Sequence, residues 1–219
     1  MPTSTYHNLG TEKRDRLLRA AIIEFAEHDY ASAKLDRIAA RSKIPKGSFY
    51  QYFRGKEALY VHVVKHALDL TWEHFQRHSR RQRLRDCFEL LEASTLHMFT
   101  LAKRHPELAA IYARVVYEPD THLQSRLYPT YRAYSDEFHA RFLTWGLATG
   151  DIDRQISPAL IRFQVHALGT QWNRMILTGD WPPWMPAEER RRRQLVRQSI
   201  DRLRVGLGAT DSGQLRVGA

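Results

Sequence analysis

Apolar residues return every third or fourth position along almost the whole chain, and this spacing constrains the fold more than any other feature of the sequence. Ile161, Val165, Leu168, Trp172 and Ile176 step by four, three, four and four, and Val196, Ile200, Leu203 and Leu207 by four, three and four. Steps of that size place one apolar side chain per turn on a single helical face. Alternating Val/Ile/Thr runs with hairpin turns are missing, and no internal repeat is visible, so the chain reads as all-α. At 219 residues it can bury a substantial core without disulfides or metals. Cys87 is the only cysteine, which excludes an intrachain disulfide and suits a reducing compartment. The opening MPTSTYHNLG does not read as a signal peptide, and no apolar run approaches the roughly 18 residues of a membrane span, so a cytoplasmic location is expected.

Thr11 is the expected N-cap of a first helix carrying Leu17, Leu18, Ala21, Ile22 and Phe25. Leu35, Ile38, Ala39 and Ser42 mark a short second helix that stops at Lys43-Ile44-Pro45, and a third runs from Lys46 to Phe53 before Arg54-Gly55 breaks it. Two short helices separated by three residues have helix-turn-helix spacing. A long helix from Lys56 leads into a basic connector, RHSRRQRLRD. Further helices are expected near Leu84–Lys103, from Pro106 to Tyr117, from Leu123 to Trp145 with a kink at Pro129, from Pro158 after Ser157, and from Pro186. Glu118-Pro119-Asp120 is an expected break, and the residues from Gly208 onward an expected disordered tail. The domains so defined are residues 1–55, 56–207 and the tail 208–219.

The third helix, within KIPKGSFYQYF, carries four aromatic rings in five positions. At about 100° per residue, Phe49 and Phe53 share one face, with Gln51 opposite and Gly47 and Ser48 beside it. Tyr50 and Tyr52 fall about 80° to either side of the apolar stripe, where a ring can lie on the protein while its hydroxyl reaches outward. Such an edge can offer hydrogen bonds to bases in a major groove, with Lys46 and Lys56 adding charge for phosphate. From spacing alone a plain surface helix with two half-buried tyrosines is an equal reading. An excess of 34 Lys and Arg over 24 Asp and Glu, a net charge of +10, favours a polyanionic partner without choosing nucleic acid over membrane.

FAEHDY…LDRIAARSKIPKGSFYQYFRGKEAL, Phe25 to Leu59, resembles the DNA-binding domain of TetR/AcrR-type transcriptional regulators over about a quarter of the chain. GLATGDID, Gly146 to Asp153, is similar to a turn found before the penultimate helix of that family. The resemblance implies a three-helix head, a helical body with a small-molecule pocket, and a homodimer built from the last two long helices. It places DNA contacts on Pro45, Lys46, Ser48, Tyr50, Gln51 and Tyr52, a phosphate-binding lysine on Lys56 and, where the family has Thr or Ser, Lys34. The capping of the second helix would then pass to Ser32. Asp29 and Lys43 stand where the family has glycine, so the turn at Lys43 is expected to be reshaped.

The dimer interface would involve Ile161, Val165, Leu168, Trp172, Ile176, Val196, Ile200, Leu203 and Leu207. Candidates for the effector pocket are Trp72, His97, Met98, Tyr112, Tyr134, Phe138, Trp145, His166 and Trp172, all expected to face inward. The implied function is a ligand-released repressor on a pseudo-palindromic DNA operator, with an unknown small-molecule effector. A TetR-like activator and a basic architectural DNA-binding protein are the alternatives. No catalytic motif was found, so an enzyme is not expected, nor any cofactor. The pairs His62/His66 and His74/His78 have metal-compatible spacing but read as solvated or hydrogen-bonded histidines, and the run Arg190 to Arg193 as a solvated face.

Overall fold

The computed structural model describes residues 2–117 and 121–209. The described residues form ten helices and no strand, so the chain is all-α: α1 (Ser4–His7), α2 (Thr11–Glu27), α3 (Leu35–Ser42), α4 (Lys46–Tyr52), α5 (Lys56–Arg80), α6 (Cys87–Arg104), α7 (Pro106–Tyr117), α8 (Thr121–Thr149), α9 (Pro158–Thr178) and α10 (Glu189–Leu207). Two compact units are present. One comprises Met1–His74 with Leu101–Ala133, the other Phe75–Thr100 with Tyr134–Ala219. Expected breaks at Glu118-Pro119-Asp120 and the tail beyond Ala209 lie outside the described residues.

In the first unit, Leu17, Phe25, Ile38, Phe49, Phe53 and Leu59 are almost wholly buried. Each such side chain contributes about 1.5–3 kcal/mol relative to exposure, enough to fix three short helices that would not persist alone. The unit extends past the break expected near residue 55 because α7 packs along α2. Arg114 on α7 donates to the carbonyls of Phe25 and His28, the latter at 2.9 Å, where α2 ends and carbonyls lack helical partners. Gly10 rather than Thr11 is the N-cap of α2. Helix α1, which the spacing did not suggest, buries Tyr6.

The turn after α3 keeps its usual geometry even though lysine occupies it. Lys43 has φ 55° and ψ 38°, the left-handed region, and is the one non-glycine with positive φ among the described residues. The Lys43 N–H bonds the Ala40 carbonyl at 3.4 Å and the Ile44 N–H the Ala39 carbonyl at 3.2 Å, a Schellman closure. The expected reshaping does not occur because these two bonds, with Ile44 buried just beyond them, hold the turn.

In the second unit, α9 begins at Pro158 and ends at Gly179, as its sequence signals require, whereas α10 begins at Glu189 rather than Pro186. Arginines of α10 tie it to α6 and to the residue before it: Arg193 donates to the Leu96 carbonyl at 3.5 Å, Arg197 to Glu92 at 2.9 Å, and Arg204 pairs with Asp86. The basic run expected to be solvated is therefore partly structural, since Arg192 also stacks 4.0 Å over Trp181 and Arg193 4.6 Å over Phe99. Gly146 sits so close to Cys87 that a Cβ there would lie 2.7 Å from its Sγ. Cys87 is fully buried, and burial pushes its thiol pKa up to about 12. Helix α8 runs through Pro129 as one element.

Lys43→Gly removes the left-handed strain and is expected to stabilise the protein by about 1 kcal/mol in denaturant titration, although glycine also loosens the unfolded chain. A destabilisation would show that the lysine side chain outweighs its backbone.

Candidate nucleic-acid interface

The interface starts from a charge inside the first unit. Glu24, on the apolar face of α2, is fully buried. Its carboxylate accepts the Lys34 N–H at 2.8 Å and the Arg37 Nε at 2.7 Å, and Arg37 donates in turn to the Ser32 carbonyl at 3.0 Å. Burial alone would raise the Glu24 pKa, but the Arg37 and Lys34 hydrogen bonds outweigh it and hold the carboxyl below its usual range. Glu24 thus caps the start of α3 from a neighbouring helix. The cap expected at Ser32 does not form there: the N-cap residue is Lys34, and Ser32 turns back to Asp29, to which both its hydroxyl and its N–H donate. Lys34 is the N-cap residue without a side-chain cap bond, and it is exposed.

From α3 the Lys43 turn delivers the chain to Pro45 and α4. Phe49 and Phe53 are buried as the spacing requires, while Lys46, Gly47 and Gln51 are exposed, Ser48 partly so, and Tyr50 is 60% exposed. This edge combines amide, hydroxyl and phenol groups on a rigid base. Lys46 pairs with Asp36 at 2.9 Å, and Lys56 donates to the Ala31 carbonyl at 3.1 Å with its ammonium 4.7 Å from the Tyr30 ring. Both ammonium groups are therefore held in place by the protein.

Tyr52 departs from the expected symmetry. Its ring is 4% exposed, against 60% for Tyr50, so it does not reach outward. Lys13 of α2 lies 5.8 Å from the Tyr52 ring, and the backbone here is met by the amino-terminal segment, Pro2 bridging to Phe53 and the Thr3 N–H donating to the Tyr52 carbonyl at 2.9 Å. His62, read as solvated or hydrogen-bonded, bonds the Tyr6 hydroxyl at 2.9 Å. Among the described residues one group of three possible metal ligands converges, Glu24, Glu27 and His28, and its carboxylates are engaged by Arg37 and Arg41.

The expected pocket residues fall in both units. Trp72 and Tyr112 belong to the first, where Tyr112 meets Tyr131 edge-on at 5.6 Å. In the second, His97 lies 4.8 Å from His78 and 6.4 Å from Phe75, Phe75 5.8 Å from Phe138, Phe138 5.8 Å from His139, and His139 5.3 Å from His166. His97, Phe138 and His166 are thus linked in one run of rings. His166 itself is exposed rather than inward-facing, since it sits about 120° round α9 from the buried stripe. Trp172 is committed to α10, donating from its indole to Ser199 at 3.0 Å. Met98 is buried, and Tyr134 and Trp145 are half-buried.

The expected dimer seam needs correction. Ile161, Val165, Trp172, Ile176, Val196, Ile200 and Leu207 are buried within the single chain, with Leu168 and Leu203 half-buried. Their stripe is the inner face on which α9 and α10 pack in their own unit, so it is not available to a second copy. The outer faces carry Leu160, Phe163 and Val205, exposed at 48%, 69% and 74%.

A buried-anchor helix with a polar outer edge, aimed by a preceding helix across a tight turn, defines a helix-turn-helix DNA-reading domain. Residues 17–63 match the family described as bacterial regulatory proteins, tetR family. The HTH-type transcriptional repressor SCO4008 of Streptomyces coelicolor is 43% identical over 57 residues, 26% of this chain and 30% of that protein. The uncharacterized HTH-type transcriptional regulator YdgC of Bacillus subtilis is 38% identical over 55 residues, 25% of this chain and 28% of that protein. The match thus spans less than a third of these relatives. A TetR family regulator from Chloroflexus aurantiacus shares 25% identity with a TM-score of 0.57, covering 95% of this chain and 99% of that one. FadR from Bacillus subtilis, solved in complex with stearoyl-CoA, shares the fold at 18% identity with a TM-score of 0.68, covering 88% and 98%. Residues 17–63 are thus similar in sequence to the DNA-binding domain of TetR-family regulators, and the described fold is similar to theirs over most of the chain.

Glu24→Ala removes the cap of α3 and the carboxylate partner of Arg37, leaving that guanidinium its bond to the Ser32 carbonyl, and is expected to destabilise the protein by about 2–4 kcal/mol. Because the folded carboxyl titrates below its unfolded value near 4.3, its contribution is complete above about pH 4.3 and lost as the pH falls through the folded value. Thermal melts of wild type and variant should therefore converge in acid.

Proposed function

We propose that the protein is a homodimeric repressor that reads a pseudo-palindromic DNA operator through α4 and leaves it on binding a small-molecule effector. The observation that carries this reading is the division of α4 into buried anchors, Phe49 and Phe53, and an exposed edge of Ser48, Tyr50 and Gln51. Gln51 can pair with a base edge, while Lys34, Pro45, Lys46, Tyr50 and Lys56 flank it for the phosphate backbone. Tyr52 acts from beneath as an anchor. The DNA-reading head ends near residue 55, and the remainder binds effector and partner.

Dimerisation is assigned to the outer faces of α9 and α10. A large exposed Phe163 beside Leu160, with Val205 on the neighbouring helix, is apolar surface that water disfavours and a second copy would cover. Two recognition helices held this way must sit about 34–36 Å apart, or a multiple of that, to meet successive major-groove faces. The ring run from His78 to His139 supports an effector with aromatic or apolar parts. Burial pushes the His139 pKa down to about 4, so at neutral pH it offers a hydrogen bond rather than a charge. Arg114, gripping the end of α2 from α7, is the contact through which a shift in α7 would re-aim the head.

Selection of DNA from a random pool by the purified protein should return a palindrome with two half-sites. Binding of selected and scrambled DNA with equal affinity and equal salt slope would instead support an architectural role. Against the selected site, Gln51→Ala should change base preference at one position per half-site, whereas Lys56→Ala should weaken all sequences alike. Phe163→Glu should yield monomers in sedimentation velocity and cost more than tenfold in operator affinity; an unchanged dimer would remove α9 from the interface.

A further inference from the structure

The amino-terminal segment forms a second set of bonds on α4 that no DNA-reading role of its own explains. Helix α4 has seven residues, too short to hold its shape alone, and its last carbonyls have no helical donor. Two of them are satisfied by one residue. Thr3 donates its hydroxyl to the Gln51 carbonyl at 2.6 Å and its N–H to the Tyr52 carbonyl at 2.9 Å. Pro2 adds an antiparallel bridge to Phe53.

What keeps Thr3 there is Tyr6. Its side chain is 2% exposed, its ring lies 4.9 Å from those of both Phe53 and His62, and its hydroxyl bonds His62 on α5 at 2.9 Å. The Thr3 side chain also accepts the Tyr6 N–H at 3.4 Å as the cap of α1. The anchor and the capping residue are thus one short unit, pinned on α5 and reaching to the backbone of the residue proposed to read bases.

We infer that Pro2 to His7 is a latch that positions the end of α4, with Thr3 and Tyr6 acting as positioning residues for DNA reading rather than as DNA contacts. The inference rests on α4 being the recognition helix. No lysine or arginine lies between Pro2 and His7, so the segment brings little charge to a phosphate. Its effect is on where the Gln51 side chain starts, and hence on discrimination between bases more than on charge-driven affinity.

The test uses the full chain and the DNA it selects. Tyr6→Ala should lower affinity for the selected site more than tenfold, narrow the gap between that site and its single-base variants, and leave the salt slope unchanged. Tyr6→Phe, which keeps the ring, should restore most of the loss. Should Tyr6→Ala fail to fold, Thr3→Val keeps the question open to measurement. It deletes the hydroxyl bond to Gln51 together with the weaker α1 cap to the Tyr6 N–H, and is expected to weaken selected-site binding by about 2- to 10-fold with the discrimination ratio reduced. Unchanged affinity and discrimination in Thr3→Val would overturn the latch, as would a salt slope lowered by about one in Tyr6→Ala, which would make the segment a DNA contact. Wild-type protein that selects no sequence would instead overturn the reading of α4 on which the latch rests.

Discussion

The direction of α4 depends on how one buried negative charge is satisfied. Glu24 has no access to water, and its carboxylate takes bonds from the first turn of α3 and from Arg37 one turn further on. A buried carboxylate left unpaired would be costly, so the two helices are held in the one arrangement that pairs it. The Lys43 turn then transmits that arrangement to α4 through a backbone with little freedom. Position and orientation of the exposed edge follow from a charge about twenty-five residues earlier in the chain, without any contact between the two.

Much of this was legible in the sequence where local rules act. The three-to-four spacing gave the helices of both units, and the wheel of α4 separated Phe49 and Phe53 from Gln51 because burial follows angular position in so short an element. Elements set by distant partners were not legible. Glu24 lies inside an apolar stripe, a sign of a buried charge, but nothing in the spacing says that Arg37 meets it. Tyr52 has the same angular offset as Tyr50 and the opposite exposure, because only one shoulder of α4 faces the rest of its unit, where Lys13 of α2 meets the ring. The amino-terminal contact with the end of α4 had one signal, Tyr6, a large ring in an otherwise polar opening, and it had no periodic neighbours to give it a direction.

Helices α9 and α10 show the same limit on a larger scale. Their regular stripe reads equally as the seam between two copies or as the inside of one, and burial decides for the second. Periodicity reports that a face is covered but not by what. The outer face, irregular in sequence and carrying Leu160 and Phe163 among polar residues, is the one left uncovered. On α10, three arginines tie the helix to α6 and to Asp86 just before it, on a different face from the exposed Val205.

Cys87 lies against Gly146 and behind Ile152, with its thiol kept protonated by burial, and it is the only cysteine in the chain. Maleimide and methanethiosulfonate reagents, which need an exposed thiolate, therefore find no native target. A cysteine placed at any exposed position becomes a unique handle for a spin label or fluorophore without first removing the native one. The surroundings of any chosen position, α4 included, are then open to spectroscopy with a single change.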